Sequence, residues 1–153
     1  MDRNTLVLAL KDIRIPPEAA EEYGRKAAKM AGAVTERLLA RPDLESLIGK
    51  NNSEMMKDNH ANHARFIESM LRNFDAETMT DTVLWVFRAY RSHGFHDSYW
   101  AAQLNQWHAV LRENLSDNTL RAVLPLYDWM QVNIPAFSAL AERQKAELKG
   151  QLQ

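Results

Sequence analysis

Apolar residues recur every three or four positions along most of this chain, and no run alternates apolar with polar. The first spacing places side chains on one face of an α-helix, and the absence of the second removes half-buried strands, so the pattern predicts an all-α protein. Leu6 to Leu10 lies in a short predicted helix from Asn4 to Ile13, apolar on too many sides to lie alone in water. It packs either across the domain or on a second subunit. Pro16 and Pro17 break it, and Pro17 suits the first turn of a helix running from about Glu18 to Ala40, with Tyr23, Ala27, Met30, Val34 and Leu38 on its inner face. Arg41 and Pro42 interrupt, and a brief helix from Asp43 to Ile48 closes at Gly49.

Asn51 to Asn73 carries a stripe of Met56, His60, His63, Ile67 and Met70. Asp75 is the expected N-cap of the next helix, where Met79, Val83, Val86 or Phe87, Tyr90 and His93 share a face. Gly94 ends it, and Asp97 or Ser98 starts a helix with the stripe Trp100, Leu104, Trp107 and Leu111. Ser116 or Asp117 opens the last long seam, Leu120, Val123, Tyr127, Met130, Ile134, Phe137 and Ala141. Pro125 either kinks this seam or marks its true start, and Pro135 predicts a bend or break before Ala136. The expected organisation is one domain over residues 1–141, with 1–15 as an N-terminal helical extension, and a polar helical tail or linker over 142–153.

Composition narrows the function classes. With 153 residues and 46% hydrophobic content the chain can bury one core. Its 19 basic and 20 acidic residues form no basic tract, so binding driven by phosphate neutralisation is not expected, and no nucleic-acid partner is predicted. There is no cysteine, which removes disulfides, thiolate metal sites, a thiol nucleophile and any thioether-linked cofactor. The longest apolar run is too short to span a bilayer and no signal-peptide pattern is present, so the expectation is a soluble cytoplasmic protein without a membrane partner.

Two stretches hold the candidate chemistry. His60 and His63 occupy stripe positions where hydrophobes are expected, so each needs a hydrogen bond, a ligand or a water. They are either satisfied core histidines or one wall of a pocket whose other wall carries Tyr90 and His93. A zinc site is the weaker idea, because spacing sets no third ligand. The second stretch, Val83 to Leu111, contains three of the four tryptophans. Trp85, Tyr90, Tyr99, Trp100 and Trp107 form either a large aromatic core or walls for a flat, conjugated ligand. Ser92, His93 and Asp97 lie close in sequence, but no strand–turn–helix elbow surrounds the serine and no glycine-rich phosphate loop exists, so no enzyme is predicted.

The helix order and the corner RAYRSHGFHDSYWAAQLNQW resemble a globin sandwich, most closely the corner of bacterial sensor globins, over about Pro17 to Ala139. Gly94, Phe95, Tyr99 and Trp100 hold the matching positions. In haem-binding sensors the proximal histidine lies four residues before the glycine, and Tyr90 stands there in this chain, so a haem reading requires iron ligation by Tyr90 or His93. The wider resemblance is to stressosome-regulator N-terminal domains, globin domains beside cobalamin-binding domains, and globins of bilin biosynthesis related to phycobiliproteins.

The last group implies a homodimer whose pocket holds a linear tetrapyrrole. Without cysteine, such a bilin must be bound non-covalently. Under that reading Arg88 and Arg91 pair with propionates, Asp97 or a histidine bonds the pyrrole nitrogens, and the aromatic residues supply the walls. The expected function is therefore a non-enzymatic tetrapyrrole carrier or sensor, with a bilin before haem. The alternative is a ligand-free globin that dimerises through its N-terminal segment and last helix as a signalling module.

Overall fold

A computed structural model describes the backbone of residues 1–152 and the side chains of residues 1–151. Gln153, the end of the expected 142–153 tail, lies outside the described residues. The described chain is all-α, with eight helices: α1 (Arg3–Leu8), α2 (Pro17–Leu39), α3 (Leu44–Ile48), α4 (Ser53–Arg72), α5 (Ala76–Ser92), α6 (Ser98–Asn114), α7 (Asp117–Val132) and α8 (Ile134–Leu152). No helix among the described residues is long and apolar enough to cross a membrane.

The stripes become the core. Tyr23, Met30, Val34 and Leu38 of α2 are fully buried, as are Met56, His60 and Ile67 of α4. α2 packs against α4, α6 and α7, whereas α5 rests on α8 and α1. The α1 segment packs on the domain itself: Leu6 and Leu10 are buried, and the Trp129 indole donates to the Leu6 carbonyl at 3.1 Å. Of the two candidates on α5, Phe87 is buried and Val86 only partly so.

Turn chemistry sets the joints. Asp75 caps α5, accepting from the Thr78 amide at 2.8 Å. Gly49 (φ 82°) and Gly94 (φ 98°) take backbone conformations that side chains disfavour, and a Cβ on Gly49 would lie 3.2 Å from the Gly94 carbonyl oxygen. Asn52 bridges the two turns, donating to the carbonyls of Ile48 (2.7 Å) and His93 (2.9 Å), while the His96 amide donates to Leu47 (2.8 Å). The aromatic corner is thus pinned to the end of α3.

Two expectations are corrected. His93 does not continue the inner face of α5; it is the C-cap residue and is exposed, because the helix ends one residue earlier. Asp97 precedes α6 but makes no capping bond, since its carboxylate accepts from Arg91 (3.2 Å) and Ser138 (2.5 Å); the His96 ring accepts from the Ser98 amide instead (3.1 Å). The seam breaks at Asn133, before Ala136 as Pro135 predicts, so that Pro135 falls in the first turn of α8, where its missing N–H costs nothing, whereas Pro125 lies on the exposed side inside α7 and does not mark its start.

Candidate functional site

The two histidines of α4 diverge in their surroundings. His60 has no exposed surface, with Nδ1 2.7 Å from Thr35 Oγ1 and Nε2 3.0 Å from the Tyr99 hydroxyl. The Tyr99 hydroxyl gives its only proton to Asn59 Oδ1 (2.6 Å), so it accepts from His60, which assigns the ring proton to Nε2 and leaves Nδ1 to accept from Thr35. Burial lowers the ring's pKa to about 4, and both nitrogens are occupied. His60 is a satisfied core histidine.

His63 takes part in a chain of hydroxyls. Its Nε2 lies 2.9 Å from the Tyr127 hydroxyl, which lies 2.7 Å from that of Tyr23. Both tyrosines are fully buried, and Tyr23 has no other hydrogen-bond partner among the described residues. Every hydroxyl proton finds an acceptor only if Tyr23 donates to Tyr127 and Tyr127 to His63, which leaves the imidazole proton on Nδ1. Burial, and then repulsion from His60, lowers the His63 pKa to about 3, so the ring is neutral at pH 7. It is only half-buried, because its open edge borders a cavity.

That cavity, of about 300 Å³, lies between α4 and α5 and is floored by α6. α4 contributes Asn59, Asn62, His63 and Phe66. α5 contributes Val83, Trp85, Val86, Phe87 and Tyr90, and α6 contributes Trp100, Gln103 and Leu104. Met130, Ile134 and Phe137 close the far end. Trp85 is 61% exposed and stands at the edge of the cavity. Tyr90 packs edge-on against Phe95 (5.0 Å) and Trp100 (5.8 Å). Burial raises its phenol pKa, partly offset by hydrogen bonding to Asn59 and Asn62, so it stays protonated at neutral pH.

Two residues of this wall, Trp100 and Gln103, each carry a polar atom without a partner, the indole nitrogen and the carboxamide oxygen, and both atoms are sealed from the accessible space of the cavity. No Asp, Glu, Lys or Arg lines the cavity. No family model matches the chain, and no curated protein or solved structure is significantly similar to it.

Of the predicted site residues, His63, Trp85, Tyr90 and Trp100 meet at the cavity, and His60, Arg88, Arg91, His93, Asp97, Tyr99 and Trp107 do not line it. Tyr99 is fully buried behind the wall, bonded to His60 and donating to Asn59 at 2.6 Å. Trp107 is buried against His63, ring centroids 4.8 Å apart. Arg91 is held by Asp97 (3.2 Å) and Glu142 (2.8 Å), and Arg88 faces a separate shallow depression beside Asp81 and Arg143.

No histidine of the cavity wall is free to hold an iron porphyrin in the globin manner: His63 Nε2 is bonded to Tyr127 and His93 lies outside, while Tyr90 lines the wall and no Lys or Arg does so to meet a propionate. Among the described residues no three His, Asp or Glu side chains converge to hold a metal ion. Sequence reasoning missed Asn59 and Gln103. Both fall at three- and four-residue steps within apolar stripes, Met56–Asn59–His63 and Trp100–Gln103–Trp107, and a carboxamide at such a place is itself a signal of an unmet partner.

Proposed function

We propose that this chain is a non-enzymatic, globin-like binding domain that holds a flat, conjugated, uncharged molecular surface non-covalently between α4 and α5. The observation that carries this reading is an open, aromatic-walled cavity without a charged residue. Apolar walls supply the affinity, and the few neutral polar groups orient what enters. The volume lies at the lower end of the roughly 300–1,000 Å³ of pockets for drug-sized ligands. A linear bilin, the tetrapyrrole that needs no axial ligand, would therefore keep part of its length and its carboxylates outside, past Trp85.

The test is titration of the purified protein with biliverdin, haemin and an uncharged bicyclic aromatic such as naphthalene, followed by calorimetry and absorption. Stoichiometric binding of the bicycle or of biliverdin supports the reading. A sharp Soret band with haemin would instead identify a haem protein, and no binding by any probe would remove the ligand reading altogether. A second reading, a homodimeric interaction module, is favoured by the exposure of Leu8 (61%) and Val132 (74%), and a strictly monomeric mass by light scattering would end it.

A further inference from the structure

Resting on the cavity as a ligand site, we propose that His63 Nδ1–H is a one-way hydrogen-bond donor to its occupant. The occupant then presents a neutral acceptor, such as a ring nitrogen or a carbonyl oxygen in the plane of an aromatic system. Of the two ring nitrogens of His63, Nε2 is held by Tyr127 at 2.9 Å. Nδ1 has no partner among the described residues, yet it keeps accessible surface, unlike the sealed atoms of Trp100 and Gln103. Trp107 and Tyr127, both fully buried, pack against the imidazole with ring centroids at 4.8 and 5.4 Å, so neither side opens to solvent. The space that His63 does border is the cavity between α4 and α5, and Nδ1 is open to whatever fills it.

What fixes the sense of this bond lies outside the cavity. Tyr23 and Tyr127 are fully buried, and the Tyr23 hydroxyl meets only that of Tyr127, at 2.7 Å. An acceptor in the cavity leaves the order from Tyr23 to Tyr127 to His63 Nε2 intact, with every proton placed. An occupant that donates to Nδ1 would force the ring proton onto Nε2, where it points at Tyr127. One of the two hydroxyl protons would then be left in the core without an acceptor, which folded proteins avoid. The other polar side chains of the wall impose no such sense, since Asn62, Thr82 and Tyr90 can each give or take a bond. A charged group would be left uncompensated, because no Asp, Glu, Lys or Arg lines the cavity. A hydrocarbon of the same shape would cover the Nδ1 proton without pairing it, and a site with a fixed donor discriminates against such an analogue.

The experiment titrates the full chain at neutral pH with quinoline, which has a ring acceptor, indole, which has only a donor, and naphthalene, which has neither. Calorimetry reads the affinities, and long-range ¹H–¹⁵N spectra of labelled protein, assigned with His63→Phe, read which nitrogen of His63 is protonated. The expected result is a proton on Nδ1 before any probe is added, and quinoline binding at least fivefold tighter than indole or naphthalene. Quinoline should also shift the Nδ1 signal, and naphthalene should not produce that shift. Tyr23→Phe lies outside the cavity and releases the order of the hydroxyls, so the preference for quinoline over indole should fall below twofold while naphthalene binds as before. A proton on Nε2, equal affinity for quinoline and indole, or an unaltered preference in Tyr23→Phe would overturn the proposal and leave the apolar cavity reading standing. Failure of all three probes to bind would overturn both. Should Tyr23→Phe not fold, the tautomer and the probe comparison on the unaltered chain decide by themselves.

Discussion

His60 and His63 lie one helical turn apart, and what separates them is which atoms surround each ring. Both are held neutral by burial, so protons must enter them when the chain unfolds in acid. The sign follows directly. A histidine whose folded pKa is depressed contributes nothing extra above about pH 6.5, and below that value the unfolded chain binds the proton first, so stability falls with falling pH down to the folded pKa. For His60, with a folded pKa of about 4, this amounts to about 2 kcal/mol lost between pH 7 and pH 4.5. His60→Gln, which can keep a bond to Thr35 or Tyr99 but does not titrate, should unfold in urea with a pH dependence shallower by about that amount. An unchanged slope would mean that the ring is not buried as described. Glu22 acts in a lower window. Burial raises its pKa, but hydrogen bonds from Ser116, Thr119 and Lys26 outweigh this and bring it down to about 2, so its contribution is present above pH 4.5 and lost as pH falls toward 2. Glu22→Ala frees the Ser116 amide and both hydroxyls at the start of α7, and should cost about 1–2 kcal/mol in urea melts at pH 7.

At the scale of elements, the joints divide by how local their chemistry is. Gly49 and Gly94 were legible as helix stops because a positive φ is a property of one residue, and Asp75 was legible as a cap because its acceptor serves an amide three residues on. Asp97 misled because its carboxylate is claimed by Arg91 and by Ser138 of α8, a tertiary competition that sequence spacing does not contain. The seam from Leu120 to Ala141 was read in the right register, and the break at Asn133 leaves Val123, Tyr127, Met130 and Phe137 buried on both sides of it. The site was legible in part for the same reason. Periodicity placed His63, Tyr90 and Trp100 inward, but the hydroxyl chain Tyr23–Tyr127–His63 joins three helices and appears only once they pack. The glycines offer a paired test. Gly49→Ala puts a Cβ at 3.2 Å from the Gly94 carbonyl oxygen in a backbone region nearly closed to alanine, and should cost about 2 kcal/mol. Gly32→Ala, mid-helix with nothing within 4 Å, should stabilise by about 0.5–1 kcal/mol. Urea denaturation of the two variants reads both signs, and equal effects would contradict the account of the α3 corner.

In the whole molecule, the cavity is a consequence of how the helices choose partners. α2 draws α4, α6 and α7 together, while α8 and α1 hold α5, so α4 and α5 face each other across a gap that aromatic side chains line without filling. Such a space forfeits the dispersion contacts that a filled core would have, and sequences that need only stability tend to close it. Val83, half-buried on the cavity wall, has room beside it for a larger side chain. Val83→Phe should therefore fold with unchanged or higher stability, by up to about 1 kcal/mol, or roughly 2–4 °C in Tm for a chain of this size. The same change removes ligand volume and should weaken binding of any occupant of the cleft at least tenfold. Thermal unfolding and calorimetry on one preparation test the two together. A stable variant that still binds with unaltered affinity would place the ligand elsewhere on the protein, whereas a loss of both stability and binding would show that the wall at Val83 is already close-packed. Only the opposed pair, stability kept and affinity lost, identifies the gap between α4 and α5 as space held open for a ligand.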